Sequence, residues 1–165
     1  MSAPEAARPV TEQEAAGEPI DLSSSLTTGV AVVPSDIVDW ATFSQILEMD
    51  EDEDEREFST GIVLNFFEQA EATFAQMETA LRDKNLSELS SLGHFLKGSS
   101  AALGLTKVKN SCEKIQHLGA GKDESGISNI GDPEISLQKI QSTLGVVRME
   151  YAESQDCLKS YFGIL

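Results

Sequence analysis

Residues 58–81, FSTGIVLNFFEQAEATFAQMETAL, decide the fold. Phe58, Ile62, Phe66, Ala70, Phe74, Met77 and Leu81 recur every three or four positions, which lines them up along one side of an α-helix as a buried stripe. Upstream, residues 48–57 (EMDEDEDERE) hold eight acids against one base. Carboxylates there suit the positive end of the helix macrodipole, so the spacing predicts a solvated acidic hinge leading into a helix that runs through Lys84. Asp50, Asp52 and Asp54 alternate as in a calcium loop, but Glu55 and Gly61 occupy the positions where that loop needs Gly and Glu. Further upstream, DIVDWATFSQILE (36–48) reads as a short helix, with Ile37, Trp40, Phe43 or Ser44, and Leu47 at helical spacing and Ser35 as its cap after Pro34.

Downstream, Asn85 precedes a third helix with Leu89, Leu92, Leu96 and Leu103 on one face and Gly104 near its stop. A fourth runs from about Thr106 to Leu118, with Val108, Cys112 and Ile115 inward and Gly119 past its end. A Gly-rich loop (119–132) leads to Asp132-Pro133, a cap followed by proline at the first helical position. The last helix then buries Leu137, Ile140, Leu144, Val147, Tyr151 and Leu158. The fold expected is all-α, an antiparallel four-helix bundle with an additional short N-terminal helix. Residues 1–29 contain five acids, one base and no aromatic side chain. Such a segment buries too little apolar surface to offset its ordering entropy, so a disordered acidic tail is expected there and a helical domain over 30–165.

Composition narrows the function. Twelve basic and 28 acidic side chains among 165 residues give a net charge of −16, which argues against binding nucleic acid through its phosphates. Cys112 and Cys157 share no metal-site spacing and read as reduced core thiols of an intracellular protein. The sequence shows neither a membrane-length apolar run nor a secretory leader, and its 17.8 kDa suit both cytoplasm and nucleus. Residues 82–122 reverse the overall sign, with seven bases against three acids.

That basic segment holds the third helix, which has a second face. At about 100° per residue, His94 lies about 160° from both Leu92 and Leu96, and Ser87, Ser90, Lys97, Gly98 and Ala101 fall within about 60° of it. A glycine in a helix interior costs about 1 kcal/mol relative to Ala. Gly93 and Gly98 both incur that cost, and no core position asks for Gly98. A bare backbone beside an exposed histidine fits close approach by another macromolecule. Free imidazole is largely unprotonated at neutral pH and nucleophilic. There is no nucleophile-elbow motif for acyl transfer and no Gly-rich loop for ATP. His117, the other histidine, falls opposite Ile115 and reads as a solvated side chain. Phosphoryl transfer needs mainly positioning and positive charge, which Lys97 can supply. A magnesium ion and a leaving group would come from a partner.

The run Leu92-Gly93-His94-Phe95-Leu96-Lys97-Gly98-Ser99-Ser100-Ala101-Ala102-Leu103-Gly104 resembles the active helix of histidine-containing phosphotransfer (HPt) proteins, whose motif is H-x-L-K-G. Residues 34–40 (PSDIVDW), 74–77 (FAQM) and 112–116 (CEKIQ) resemble the fungal phosphorelay intermediates of osmotic and oxidative stress signalling. The resemblance covers about residues 34–119. It implies that His94 is phosphorylated, that Lys97 assists the phosphoryl group, that Gly98 keeps access open and that Gln116 orients the histidine ring. It also implies a receiver-docking patch of Ile46, Met49, Phe58, Ile62 and Phe95 around the site, with Thr42 where the family has an isoleucine. The partners implied are receiver domains of a hybrid histidine kinase and of response regulators. The chain would act as a monomer without a cofactor of its own, magnesium being expected on the receiver. The rival reading is a non-catalytic helical adaptor using the same patch, which would not need an exposed His-Lys-Gly.

Overall fold

The computed structural model describes residues 34–52 and 54–164; the tail expected over 1–29 lies outside them. Five helices follow in order: α1 (Trp40–Leu47), α2 (Glu57–Arg82), α3 (Leu86–Ala102), α4 (Thr106–Gly119) and α5 (Pro133–Phe162). Among the described residues there is no strand, only an isolated bridge between Lys122 and Asn129. The four long helices form the bundle and α1 packs at one end.

Cross-helix pairs set the directions. Ser90 and Lys97 of α3 reach Gln116 and Glu113 of α4. Ser111 and Lys107 of α4 reach Glu150 and Glu153 of α5, and Phe67 and Glu78 of α2 pair with Tyr151 and Arg148 of α5. In each case residue numbers rise along one helix and fall along the other, so these neighbours are antiparallel. Lys84 binds Glu134 and Lys107 binds Asp36 and Glu153, so acids from other elements pair with two of the seven bases of the basic segment.

The stripes of α2, α3, α4 and α5 meet in one core around Phe66, Phe74, Met77, Leu89, Leu96, Ile115, Ile140 and Leu158. Phe58 and Ile62, at the start of the α2 stripe, stay 45% and 37% exposed. Ser59 and Val63, in the same turns, are fully buried, so the inward face of α2 begins with Ser59, Val63, Phe66 and Phe67, and Phe58 and Ile62 fall on its solvent side. Cys112 is fully buried, and burial with Glu150 nearby pushes its thiol up to about 12; it packs as an apolar side chain.

Three local expectations change. Helix α1 starts at Trp40, capped by Asp39, which accepts a hydrogen bond from Ala41 N, rather than at Asp36 behind Ser35. Residues 34–38 form a turn instead, and Asp39 N donates to Gly104 O at 2.7 Å. Gly104, at φ +77, lets the α3–α4 turn come this close, since a Cβ would lie 2.7 Å from Asp39 O. Gly119 does not follow α4 but ends it, against Ser90, where a Cβ would lie 2.6 Å from a backbone nitrogen.

The third change concerns the acidic run, which is not solvated throughout. Asp50 is buried and accepts hydrogen bonds from Ser59 N at 2.8 Å and Ser59 Oγ at 2.6 Å, with Arg56 at 3.4 Å. It caps α2 from nine residues upstream, because Arg56 at the N-cap, with φ 51, offers no side-chain cap. Burial would raise the Asp50 pKa, but the Ser59 and Arg56 contacts outweigh it and hold the carboxyl below its ordinary value. Asp50→Ala is expected to lower stability by about 1–2 kcal/mol through the lost cap. A lowered native pKa contributes stability that is present above the ordinary value of 3.8 and lost as pH falls through the native one. The difference in thermal melting between wild type and variant should therefore shrink below about pH 4.

Candidate functional site

Helix α3 is capped by Asn85, whose side chain accepts from Glu88 N at 3.1 Å, and buries Leu89, Leu92, Gly93 and Leu96. His94 is exposed, and among the described residues no hydrogen bond or ion pair engages its ring. Gly98 is also exposed, and a Cβ built on it would meet nothing within 4 Å. The open face read from the sequence is present.

The face is not wholly outward, however. Ser90 and Lys97, each one turn from His94, cross to α4. Ser90 Oγ donates to Gln116 O at 2.8 Å, and Lys97 Nζ lies 3.7 Å from Glu113 Oε2. His94 therefore sits at the rim of the α3–α4 seam. Gly93 makes the seam tight: a Cβ would lie 2.8 Å from Cys112 O and from Gln116 N. Its helix-propensity cost is the condition for this close packing. Gly93→Ala should lose about 1–3 kcal/mol because backbone must shift, read as a lower melting temperature.

Gln116 is part-buried beside Gly93, and its Oε1 is buried with no hydrogen-bond partner among the described residues. No bond joins it to His94. A buried acceptor without a donor costs free energy, so this oxygen is suited to receive an N–H. Glu113 carried no role in the sequence reading; only the charge sequence of the basic segment pointed to it.

The expected docking residues spread along a strip rather than around the histidine. Met49, 64% exposed, and Phe58 line one cavity with Glu51, Asp52, Glu55 and Glu57. Phe95, 48% exposed, lines another with Leu92, Gln69, Ala72, Thr73 and Gln76. Phe58 precedes Thr73 by fifteen positions on α2, about 22 Å along the helix. Ile46 is part-buried against the core, so it offers little free surface. Thr42 Oγ1 donates to Asp39 Oδ2 at 2.9 Å, tied into the α1 cap. His117 is half-buried rather than freely solvated: its Nδ1 lies 2.9 Å from Glu124 O, and its ring lies against Gly126. Its role is to hold the α4–α5 loop.

Residues 61–154 match the family model described as Hpt domain. The chain belongs to the Hpt domain family. It is 48% identical over 126 residues to multistep phosphorelay regulator 1 of Schizosaccharomyces pombe, over 76% of this chain and 42% of that protein. It is 50% identical over 91 residues to the phosphorelay intermediate protein YPD1 of Saccharomyces cerevisiae, over 54% of this chain and 53% of that protein. The chain thus spans about half the length of these curated relatives. A solved complex of the Saccharomyces cerevisiae histidine phosphotransfer signaling protein Ypd1 with the receiver domain of its downstream response regulator Ssk1 matches with TM-score 0.70 and 36% identity, over 81% of this chain and 99% of that one. The Hpt helical bundle is therefore the fold of this chain. No helix among the described residues is long and apolar enough to cross a membrane.

Proposed function

We propose that this chain is a phosphorelay shuttle whose domain spans residues 30–165. An unprotonated ring nitrogen of His94 attacks the aspartyl phosphate of a hybrid kinase's receiver domain. The N–P bond forms as the P–O bond breaks, and the receiver's aspartate leaves as a carboxylate. Onward transfer repeats the exchange on an aspartate of a response regulator, which receives the phosphoryl group as His94 regains its lone pair. Magnesium on the receiver supplies charge shielding for the phosphoryl oxygens. The observation that carries this reading is the exposed His94 imidazole, unengaged among the described residues, beside the bare Gly98 backbone.

Within the proposal, Lys97 offers charge to the phosphoryl oxygens, and Gly98 leaves space for the receiver's loops. Gln116 Oε1, unpartnered among the described residues, is the acceptor for the N–H of the other ring nitrogen once the ring turns to it, which fixes the nitrogen that attacks. Met49, Phe58, Ile62 and Phe95 form the docking strip, with a minor share from Ile46. A receiver of about a hundred residues, with a radius of gyration near 13 Å, is wide enough to cover the distance from Phe95 to Phe58. Action as a monomer in cytoplasm and nucleus, on stress signals, rests on the family resemblance and on the 17.8 kDa of the chain.

The test is incubation with a receiver domain carrying aspartyl phosphate. An acid-labile, base-stable phosphate should appear on the chain within seconds to minutes, and none should appear with ATP and magnesium alone. Stoichiometric labelling from ATP without a kinase would overturn the shuttle.

A further inference from the structure

Lys97 is the cation nearest in sequence to His94 on the open face of α3, and it is already engaged. Its side chain is 27% exposed and that of Glu113 44% exposed, with 3.7 Å between Nζ and Oε2. Glu113 is one of only three acids in the basic segment 82–122. It is set by the register of the seam. As α3 runs from Ser90 to Lys97, its partners on α4 run from Gln116 back to Glu113, so Glu113 stands level with the turn that carries His94. Partly exposed, it adds nothing to the core. Among the described residues its side chain pairs with Lys97.

We propose that Glu113 is a positioning residue that holds Lys97 in reserve, so that a phosphoryl group on His94 must win the lysine from a carboxylate. This rests on the phosphotransfer reading of His94. In the resting protein Lys97 is neutralised and oriented across the seam. When the N–P bond forms and the receiver's aspartate departs as a carboxylate, the new phosphoryl oxygens compete with Glu113 for Nζ. Part of the attraction between lysine and phosphoryl is offset by the loss of the Lys97–Glu113 pair. The phosphohistidine is then less stable than it would be beside an unopposed lysine, and it keeps a high tendency to pass the group on. A relay intermediate needs that balance, because a deep well at His94 would trap the phosphoryl group between its two aspartate partners. Glu113 acts on the position of this equilibrium through Lys97, without touching the reacting atoms.

The measurement is the equilibrium partition of phosphate between a purified receiver domain and the full chain, for wild type, Glu113→Gln, Lys97→Ala and the double variant. Partly exposed ion pairs are worth little, so Glu113→Gln should raise the His94 share about two- to fivefold. In the Lys97→Ala background the same change should leave the partition within about 1.5-fold, since no lysine remains to be released. Glu113→Asp, which keeps the charge on a shorter stem, should fall between wild type and Gln. Both Glu113 variants should melt like wild type, so a folding defect will not mimic the effect. An unmoved partition for Glu113→Gln overturns the inference. An equal shift in both backgrounds also overturns it, since Glu113 would then act as a background charge rather than as the counter-ion of Lys97. Either result leaves the shuttle standing as long as the wild-type chain is labelled. A wild-type chain that takes no phosphate from any charged receiver removes the shuttle and this inference together.

Discussion

His94→Gln should abolish labelling from a phosphorylated receiver domain and leave the melting temperature of the bundle within about 2 °C. The ring is exposed and unengaged among the described residues, so its removal breaks no packing, and Gln is a comparably good or better helix former. Glutamine has no nucleophilic nitrogen to form the N–P bond, so the loss should be complete rather than partial. His117 is the natural control. It is held against Gly126 and the Glu124 carbonyl, which leaves its ring no open approach like that of His94. Phosphate retained by the His94→Gln chain on His117 would show that His117 is the acceptor instead. The readouts are receiver-to-chain transfer and thermal melting on the same preparations.

Gly98→Gln should lose at least about a hundredfold in phosphotransfer, because a misplacement of about 1 Å at the reacting atoms is already that costly. Stability should move the other way. A Cβ at Gly98 meets nothing within 4 Å, so the substitution gains most of the roughly 1 kcal/mol that glycine costs a helix interior. The contrast with Gly93 gives the test its force. Both glycines lie within α3, five residues apart, yet one should be stabilised and the other destabilised by a side chain. A strong loss of stability for Gly98→Gln would mean that Gly98 packs against a neighbour, and the close-approach argument would fall with it.

The contrast between these glycines also separates what was legible in the sequence from what was not. Both showed the same anomaly as letters, a costly residue inside a helix. Only the position of α4 tells that Gly93 is pressed against the Cys112 carbonyl while Gly98 faces open space. The same holds for Phe58 and Ile62. Their spacing continues the α2 stripe, yet packing buries Ser59 and Val63 in those turns and leaves Phe58 and Ile62 exposed.

Legible in the sequence were the helices, the inward stripes of α3 and α5, the α2 stripe from Phe66 to Met77, and the histidine on the bare side of α3. Periodicity and a contiguous motif are properties of neighbouring residues, and an α-helix converts them directly into faces. Tertiary structure decided the burial of Asp50 beneath Ser59, the pinning of His117 under the α4–α5 loop, and the pairing of Lys97 with Glu113. In each of these a polar group finds its partner across a turn or a seam, from seven to sixteen positions away. A helical wheel gives the angle between a residue and the core of its own helix. It does not give the side on which the next helix lies, and that side is fixed only when close contacts such as those of Gly93 and Gly119 bring two backbones together.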